Sequence, residues 1–375
     1  MHEPSALSNT LMGTRVKAAR EASHWTQDQL ALALGLKDRQ SVSDIENGKR
    51  AVKSAELLTL ADLLGQELEF FIDPFAVAGE AQFCWRSTKD VPEKSLQAFE
   101  LQASHWVGLL RWLRMQATKP PSPLKRRLRL SAHSRPDDAM ACAEALAASL
   151  EMGRIPSTWM VECIERNLDI PVLFVDTAQK SKEPAFSAAT CDLHDLGVLL
   201  VNRQAPATHQ FFYLAQELFH ALTWDAMTPA HRVSNVLDEA RRIGRIEQMA
   251  NHFAAAFLMP TASLDQLVGP AQYADAEHLA LVAEQFRVPP WALAWRLLGM
   301  QRIDQSTHNA LRRRRELTSG APMPKRFSLT FAKLLHSALD NGQLSSRKAA
   351  KAMGMSLSEL SKFFVEHALT RPFEL

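Results

Sequence analysis

The chain has 375 residues, 46% hydrophobic and 22% charged, with 43 Lys/Arg against 41 Asp/Glu. This length supports two or three ordinary cores and this composition excludes a disordered chain, while a net charge of +2 announces no nucleic-acid partner by itself. No apolar run reaches membrane-spanning length and the start, MHEPSALSNTLMGTR, lacks the order of a secretory signal, so the expectation is a cytoplasmic protein without a membrane partner.

The four cysteines, Cys84, Cys142, Cys163 and Cys191, are scattered with no C-x-x-C spacing. Neither a disulfide framework nor a thiolate zinc site is implied, and they are expected to be small buried apolar side chains.

The stretch from Met12 to Asp73 predicts five short helices. Val16, Ala19 and Ala22 give the first an apolar stripe. Thr26 is placed to cap the second by accepting from the amide of Gln29, with Leu30, Ala33 and Leu34 continuing that helix and Gly35 ending it. Asp38 is placed to cap the third, which turns Val42 and Ile45 inward and breaks at Asn47-Gly48. Leu57, Leu60, Ala61 and Leu64 line the fourth, which Gly65 closes. Charge is uneven: residues 1–75 hold 8 Lys/Arg and 11 Asp/Glu, yet Lys37, Arg39, Lys49, Arg50 and Lys53 cluster before Glu56, Asp62, Glu67, Glu69 and Asp73. One face is therefore expected to be basic, and phosphate attraction depends on the local face.

The order T-Q-x-x-L-A, then Gly, then a short helix ending I-E-N-G resembles the XRE family, the phage-repressor type of helix-turn-helix. The resemblance implies that the third helix enters the major groove with Arg39, Gln40, Ser41 and Asp44 on its outward face. Gln40 then suits adenine, Arg39 guanine or a phosphate, and Gln27 a phosphate. Lys49 and Arg50 complete the implied DNA-binding set. Arg20 and Glu46 match a structural ion pair between the first and third helices.

Residues 75–90 read as an exit strand and turn. From Glu93 to Gln116, Leu96, Phe99, Trp106, Leu109, Leu110 and Leu113 recur at helical spacing, a stripe for core packing or dimerisation. The linker KPPSPLKRRLRLSAHSRPDD, with its basic run from Lys125 to Arg129, is a solvated connector with a DNA-backbone contact as the alternative. Helices are predicted at Ala139–Leu150 and Ser157–Arg166, then strands at Ile170–Asp176 and Leu196–Asn202, the latter wholly apolar and so buried. A helix with Phe211, Leu214, Ala215, Leu218 and Leu222 follows.

That helix carries Gln216-Glu217-Leu-Phe-His220, the spacing of H-E-x-x-H with glutamine at the first histidine. In the intact motif, residues i and i+4 share a helix face and hold zinc, while the glutamate activates the bound water. Further along stands Glu247-Gln-Met-Ala-Asn251-His-Phe253, running on to Leu258-Met-Pro260. Together these resemble the ImmA/IrrE-type metallopeptidase family over roughly residues 140 to 300. Members commonly carry an XRE module in front. The resemblance implies metal places for Gln216, His220 and Glu247 and the catalytic base for Glu217. Where many members have a further histidine, this chain has Trp224, and His209, His231 and His252 lie nearby in sequence. Three states follow: a non-catalytic domain keeping Glu217, His220 and Glu247 as a polar cluster, a weak zinc site, or a peptidase with an unusual ligand set. A fourth, purely structural reading has His220 and Glu247 bridging packed helices.

Residues 275–300 predict two helices broken at Val288-Pro-Pro290. Arg312 to Arg315 form a basic run before the loop at 319–324. Within 327–368, residues 345–360 again have helix-turn-helix spacing, with Ser358, Glu359 and Lys362 outward, a face as suited to a protein as to DNA.

The expected fold is mainly α with a small α+β centre: a five-helix phage-repressor-like domain at 1–75, a helical connector and linker at 76–138, a zincin-like domain at 139–300 and a helical region at 301–375. The expected function is a sequence-specific regulator, repressor- or antitoxin-like, that binds double-stranded operator DNA as a homodimer. Its peptidase-like domain would be an inactive sensor or platform for a toxin or repressor partner. The alternative is a zinc-dependent endopeptidase acting on such a partner.

Overall fold

The computed structural model describes residues 6–77, 80–87, 91–117, 120–124, 127–177, 186–234, 244–314 and 322–374. Lys125 and Arg126 of the basic linker, Arg315, and the first part of the loop at 319–324 lie outside the described residues. In chain order the elements are α1 (Ala6–Ala22), α2 (Gln27–Ala33), α3 (Arg39–Glu46), α4 (Ser54–Leu64), α5 (Leu68–Ile72), β1 (Gln82–Ser87), α6 (Glu93–Gln116) and α7 (Pro136–Ser149). There follow α8 (Met160–Cys163), β2 (Val172–Val175), β3 (Phe186–Leu193), β4 (Leu196–Asn202), α9 (Ala207–Thr223), β5 (Arg232–Ser234), α10 (Arg245–Leu258) and α11 (Thr261–Leu267). The chain ends with α12 (Ala276–Phe286), α13 (Pro290–Gly299), α14 (Gln305–Arg312), α15 (Leu329–Asp340), α16 (Ser346–Met353) and α17 (Leu357–Glu366). The protein is mainly helical with one small mixed sheet. Among the described residues no helix is long and apolar enough to cross a membrane.

Two compact units form. The first gathers Met1–Ala81, Glu100–Pro120 and Arg347–Met355. Its first five helices bury Val16, Ala19, Leu30, Val42, Ile45, Leu60, Leu64 and Phe71 in one core. The caps sit where the side chains demand: Thr26 accepts from the Gln29 amide, Asp38 accepts from the Ser41 amide, and Gly65 ends α4 in the left-handed conformation. Ala22, expected inward, is exposed at the end of α1. Helix α1 crosses α3 so closely that a Cβ at Gly13 would stand 2.2 Å from the Ile45 carbonyl oxygen. The apolar stripe of α6 is spent inside the chain: Trp106, Leu109, Leu110 and Leu113 are buried, and the Trp106 indole donates to the Met353 carbonyl at 3.2 Å.

The second unit holds Gln82–Phe99, Pro121–Ser346 and Ser356–Leu375. Its sheet has the order β2-β4-β3-β1-β5, with β2/β4 and β1/β5 parallel and the inner pairings antiparallel. Both expected strands appear, as β2 and β4, and the 75–90 strand appears as β1. Strand β1 is no exit: it is hydrogen-bonded between β3 and β5. Helix α9 packs across β3 and β4, and α10 packs on α9 and α7. The single helix expected over 157–166 is instead a 3-10 turn at Pro156–Thr158, then α8, then a π-turn at Ile164–Leu168. The predicted break after α12 is present, with Arg287 left-handed and Pro290 opening α13. The spacing at 345–360 forms α16 and α17.

Candidate functional site

Helix α3 presents Arg39 and Gln40 to solvent, with Ser41 and Asp44 half-buried beside them. A chain of hydrogen bonds leads to this face from the core. The Arg20 guanidinium donates to Glu46 through Nε (2.6 Å) and Nη2 (3.2 Å). The Gln27 amide nitrogen donates to Glu46 Oε2 (2.7 Å), the oxygen that also accepts from Arg20 Nη2, and the Gln27 carbonyl oxygen accepts from Arg39 Nε (3.2 Å). The expected Arg20–Glu46 pair therefore also orients Gln27 and Arg39. Gln40 donates to Asp44 (2.9 Å), and the Ser41 hydroxyl donates to Asp38 (3.0 Å). Lys49 is exposed in the following turn. Arg50 differs from it: both its terminal nitrogens are held by Glu56, at 2.5 and 3.1 Å, so its charge is already compensated.

The second constellation lies in the sheet-containing unit, on α9, α10, β1 and β3. Gln216, Glu217 and His220 are wholly buried on α9, and Glu247 lies on the first turn of α10. Three of these four converge on Arg86, which projects from β1 and is 1% exposed. Arg86 Nε donates to Glu217 Oε1 at 2.9 Å, and Nη2 donates to Glu247 Oε2 at 3.1 Å while lying 3.5 Å from His220 Nε2. His220 Nε2 is 3.0 Å from Glu247 Oε1 and donates to it. Thr190 of β3 closes the far side by donating to Glu217 Oε2 at 2.8 Å. Gln216 turns elsewhere and donates its amide to Asn251 of α10, leaving its own oxygen and His220 Nδ1 buried without partners.

The electrostatics follow from this packing. Burial works against the Arg86 charge, but Glu247 and Glu217 outweigh it and raise the guanidinium pKa further. Burial also pushes the Glu247 carboxyl up, and the charges and hydrogen bonds of His220 and Arg86 reverse this, holding it at about 2. The Cys84 thiol, on the same strand face as Arg86, is pushed well up by burial and by Glu217 and Glu247. Cys84 packs with Trp224 and Val233, so the position of the further histidine is part of an apolar cluster. Cys191 is likewise buried, whereas Cys142 and Cys163 are half-buried.

A zinc ion would need convergent free lone pairs from the Gln216, His220 and Glu247 places. Here both carboxylates accept from a guanidinium and His220 Nε2 is committed to Glu247, so of the side-chain atoms at these places the Gln216 oxygen and His220 Nδ1 are left unspent. Among the described residues no group of three or more His, Cys, Asp or Glu is arranged to hold a metal. The residues as placed do not fit the metal that the H-E-x-x-H spacing implies. Of the nearby histidines, His209 stacks edge-on against Tyr213 and Trp291, His231 is exposed, and His252 lines a cavity of about 420 Å³. That cavity is walled by Phe212, Trp291 and Trp295 and reaches Asn251, the partner of Gln216.

Sequence reasoning missed Arg86, Thr190 and the role of Asn251. The one available signal was an arginine inside an otherwise apolar strand, Phe83-Cys-Trp-Arg86, since a buried arginine requires a partner.

Family comparisons agree with this division of labour. Residues 16–71 match the model described as helix-turn-helix, and residues 165–298 match the IrrE N-terminal-like domain. No curated protein and no solved structure matches the chain. The chain carries an XRE-type helix-turn-helix domain followed by an IrrE/ImmA-type, peptidase-like domain.

Proposed function

We propose that this protein is a cytoplasmic regulator that binds operator DNA as a homodimer and uses its peptidase-like domain as a sensor or partner platform rather than as a protease. The observation that carries the reading is the exposed α3 face, on which Arg39 is braced through Gln27 and Glu46 to Arg20. Preorganised side chains on a rigid helix suit direct readout, Arg39 on guanine and Gln40 on adenine, with Ser41 and Asp44 beside them. Dimerisation supplies the second half-site that a domain of this size needs for specificity. The sensor role is supported by the aromatic cavity beside Asn251 and by the engagement of Glu217 and Glu247 with Arg86. Repression of a mobile-element or toxin gene, with a toxin or repressor as partner, is the biological setting this domain pairing favours.

The test is binding-site selection on genomic fragments, followed by titration of the selected site. Arg39→Ala with Gln40→Ala should lower specific affinity by about 30-fold or more, since each good base pairing is worth about 1–3 kcal/mol, while circular dichroism stays unchanged. Undiminished specific binding in a folded double variant would refute the recognition-helix assignment. The reading as a zinc endopeptidase is favoured by one observation, the convergence of Glu217, His220 and Glu247, and requires Arg86 to vacate their midst.

A further inference from the structure

We infer that Arg86 is a built-in surrogate for the metal ion: its guanidinium stands where the peptidase domain's ligand places converge, and it is the residue that keeps zinc out. The inference deepens the reading of this domain as non-catalytic and rests on that reading for the identity of the ligand places. It stands apart from the DNA-binding assignment.

The geometry carries the argument. Glu217 and Glu247 come from different helices and His220 lies one turn from Glu217, yet all three face one cationic group. A wholly buried and a half-buried carboxylate that share one guanidinium repel each other, so the fold requires a positive charge between them. In a metalloprotein the ion supplies it. Here a side chain supplies it covalently, in a form that never dissociates and stays protonated at any accessible pH. A guanidinium also differs in kind from a metal, because it donates hydrogen bonds to the carboxylates instead of accepting their lone pairs. Arg86 therefore preserves the charge balance of the site and removes its capacity to bind and activate water. Position 216 fits this assignment. With the cation provided by β1, a ligand is no longer needed there, and glutamine is free to tie α9 to α10 through Asn251.

The same geometry predicts a latent site. Removing the guanidinium and restoring a histidine at 216 leaves two imidazoles at i and i+4 and a carboxylate on α10, a three-ligand set of the catalytic zinc kind. Four full-length proteins decide the matter: wild type, Gln216→His, His220→Ala, and Arg86→Ala combined with Gln216→His. Each is dialysed against zinc, its metal content measured by atomic spectroscopy, and its Tm recorded with zinc and with EDTA. The expected result is no stoichiometric zinc in wild type or in the single Gln216→His variant. In the double variant one zinc per chain is expected, with a Tm that rises with zinc and falls with EDTA.

Zinc uptake by Gln216→His with Arg86 in place overturns the inference, as does a folded double variant that takes none. Both results leave the non-catalytic reading standing. One zinc per wild-type chain, lost in His220→Ala, overturns the inference; the non-catalytic reading falls as well only if that protein also shows proteolysis that is lost in Glu217→Gln. If the double variant fails to fold by circular dichroism, Gln216→His still decides: uptake refutes exclusion by Arg86, and its absence beside intact folding supports it.

Discussion

Arg86 is 131 positions from Glu217 and 161 from Glu247, which is why spacing alone did not find it. The H-E-x-x-H pattern is local, set by the 3.6-residue turn, so Gln216, Glu217 and His220 are readable from the order of residues. The charge that completes them arrives through tertiary pairing of β1 and leaves no local trace beyond an arginine among apolar neighbours. Stability should report this dependence directly. Arg86→Met alone is expected to lower unfolding free energy in urea by about 3–5 kcal/mol, the cost of uncompensated buried carboxylates. Arg86→Met with Glu217→Gln and Glu247→Gln should recover most of that loss, and failure to recover would argue against charge compensation.

Asp192 of β3 offers a separate test at the same scale. Burial raises its carboxyl from 3.8 to about 6, Arg127 opposes this and Asp225 adds to it. The folded chain therefore holds this proton more tightly than the unfolded chain, and the residue costs stability as pH rises from about 4 through 6. Asp192→Asn should raise the unfolding free energy at pH 7.5 by about 1 kcal/mol after solvent screening. The advantage should vanish at pH 4. An equal gain at both pH values would assign the effect to packing instead.

Among the elements, helices announced themselves and strands did so unevenly. Thr26, Asp38 and Gly65 mark helix ends by hydrogen bonds made within a few residues, and the structure places them as caps. Strand β4 was visible as an apolar run. Strand β3, Phe-Ser-Ala-Ala-Thr-Cys-Asp-Leu, has small and polar residues and no alternation because it is buried almost throughout. Strand β5 spans only Arg232–Ser234 and exists by pairing with β1. The turn after α3 yields the sharpest contrast between two neighbouring cations. Lys49→Ala is expected to reduce the slope of log affinity against log salt by about 1. Arg50→Ala should leave the slope unchanged and cost about 1 kcal/mol of folding stability, because Glu56 already pairs with Arg50. A slope change with Arg50→Ala would show that it leaves Glu56 for a phosphate.

For the whole molecule, the match to the peptidase-like family begins at residue 165, yet the sheet of that unit includes β1 from residues 82–87. Proximity in sequence is a fair guide to a domain only while its strands are consecutive, and here the fourth strand in the order precedes all its neighbours along the chain. The expected boundary at 139 follows composition and the proline-rich linker, and neither encodes pairing partners.

The insertion of β1 makes this sheet open to assembly from pieces. A fragment beginning at Pro121 would leave one side of β3 without its hydrogen-bonding neighbour and Glu217 without its cation. An added peptide spanning Gln82–Ser87 carries both missing things, a row of backbone donors and acceptors and the Arg86 side chain, and should dock by strand addition. The fragment is expected to gain cooperative unfolding on adding this peptide, with the Trp85 fluorescence shifting to the blue as it is buried. A peptide carrying Arg86→Met should dock far more weakly despite an identical backbone. The strand would then act as a detachable key, in which six residues return both a missing sheet neighbour and a charge.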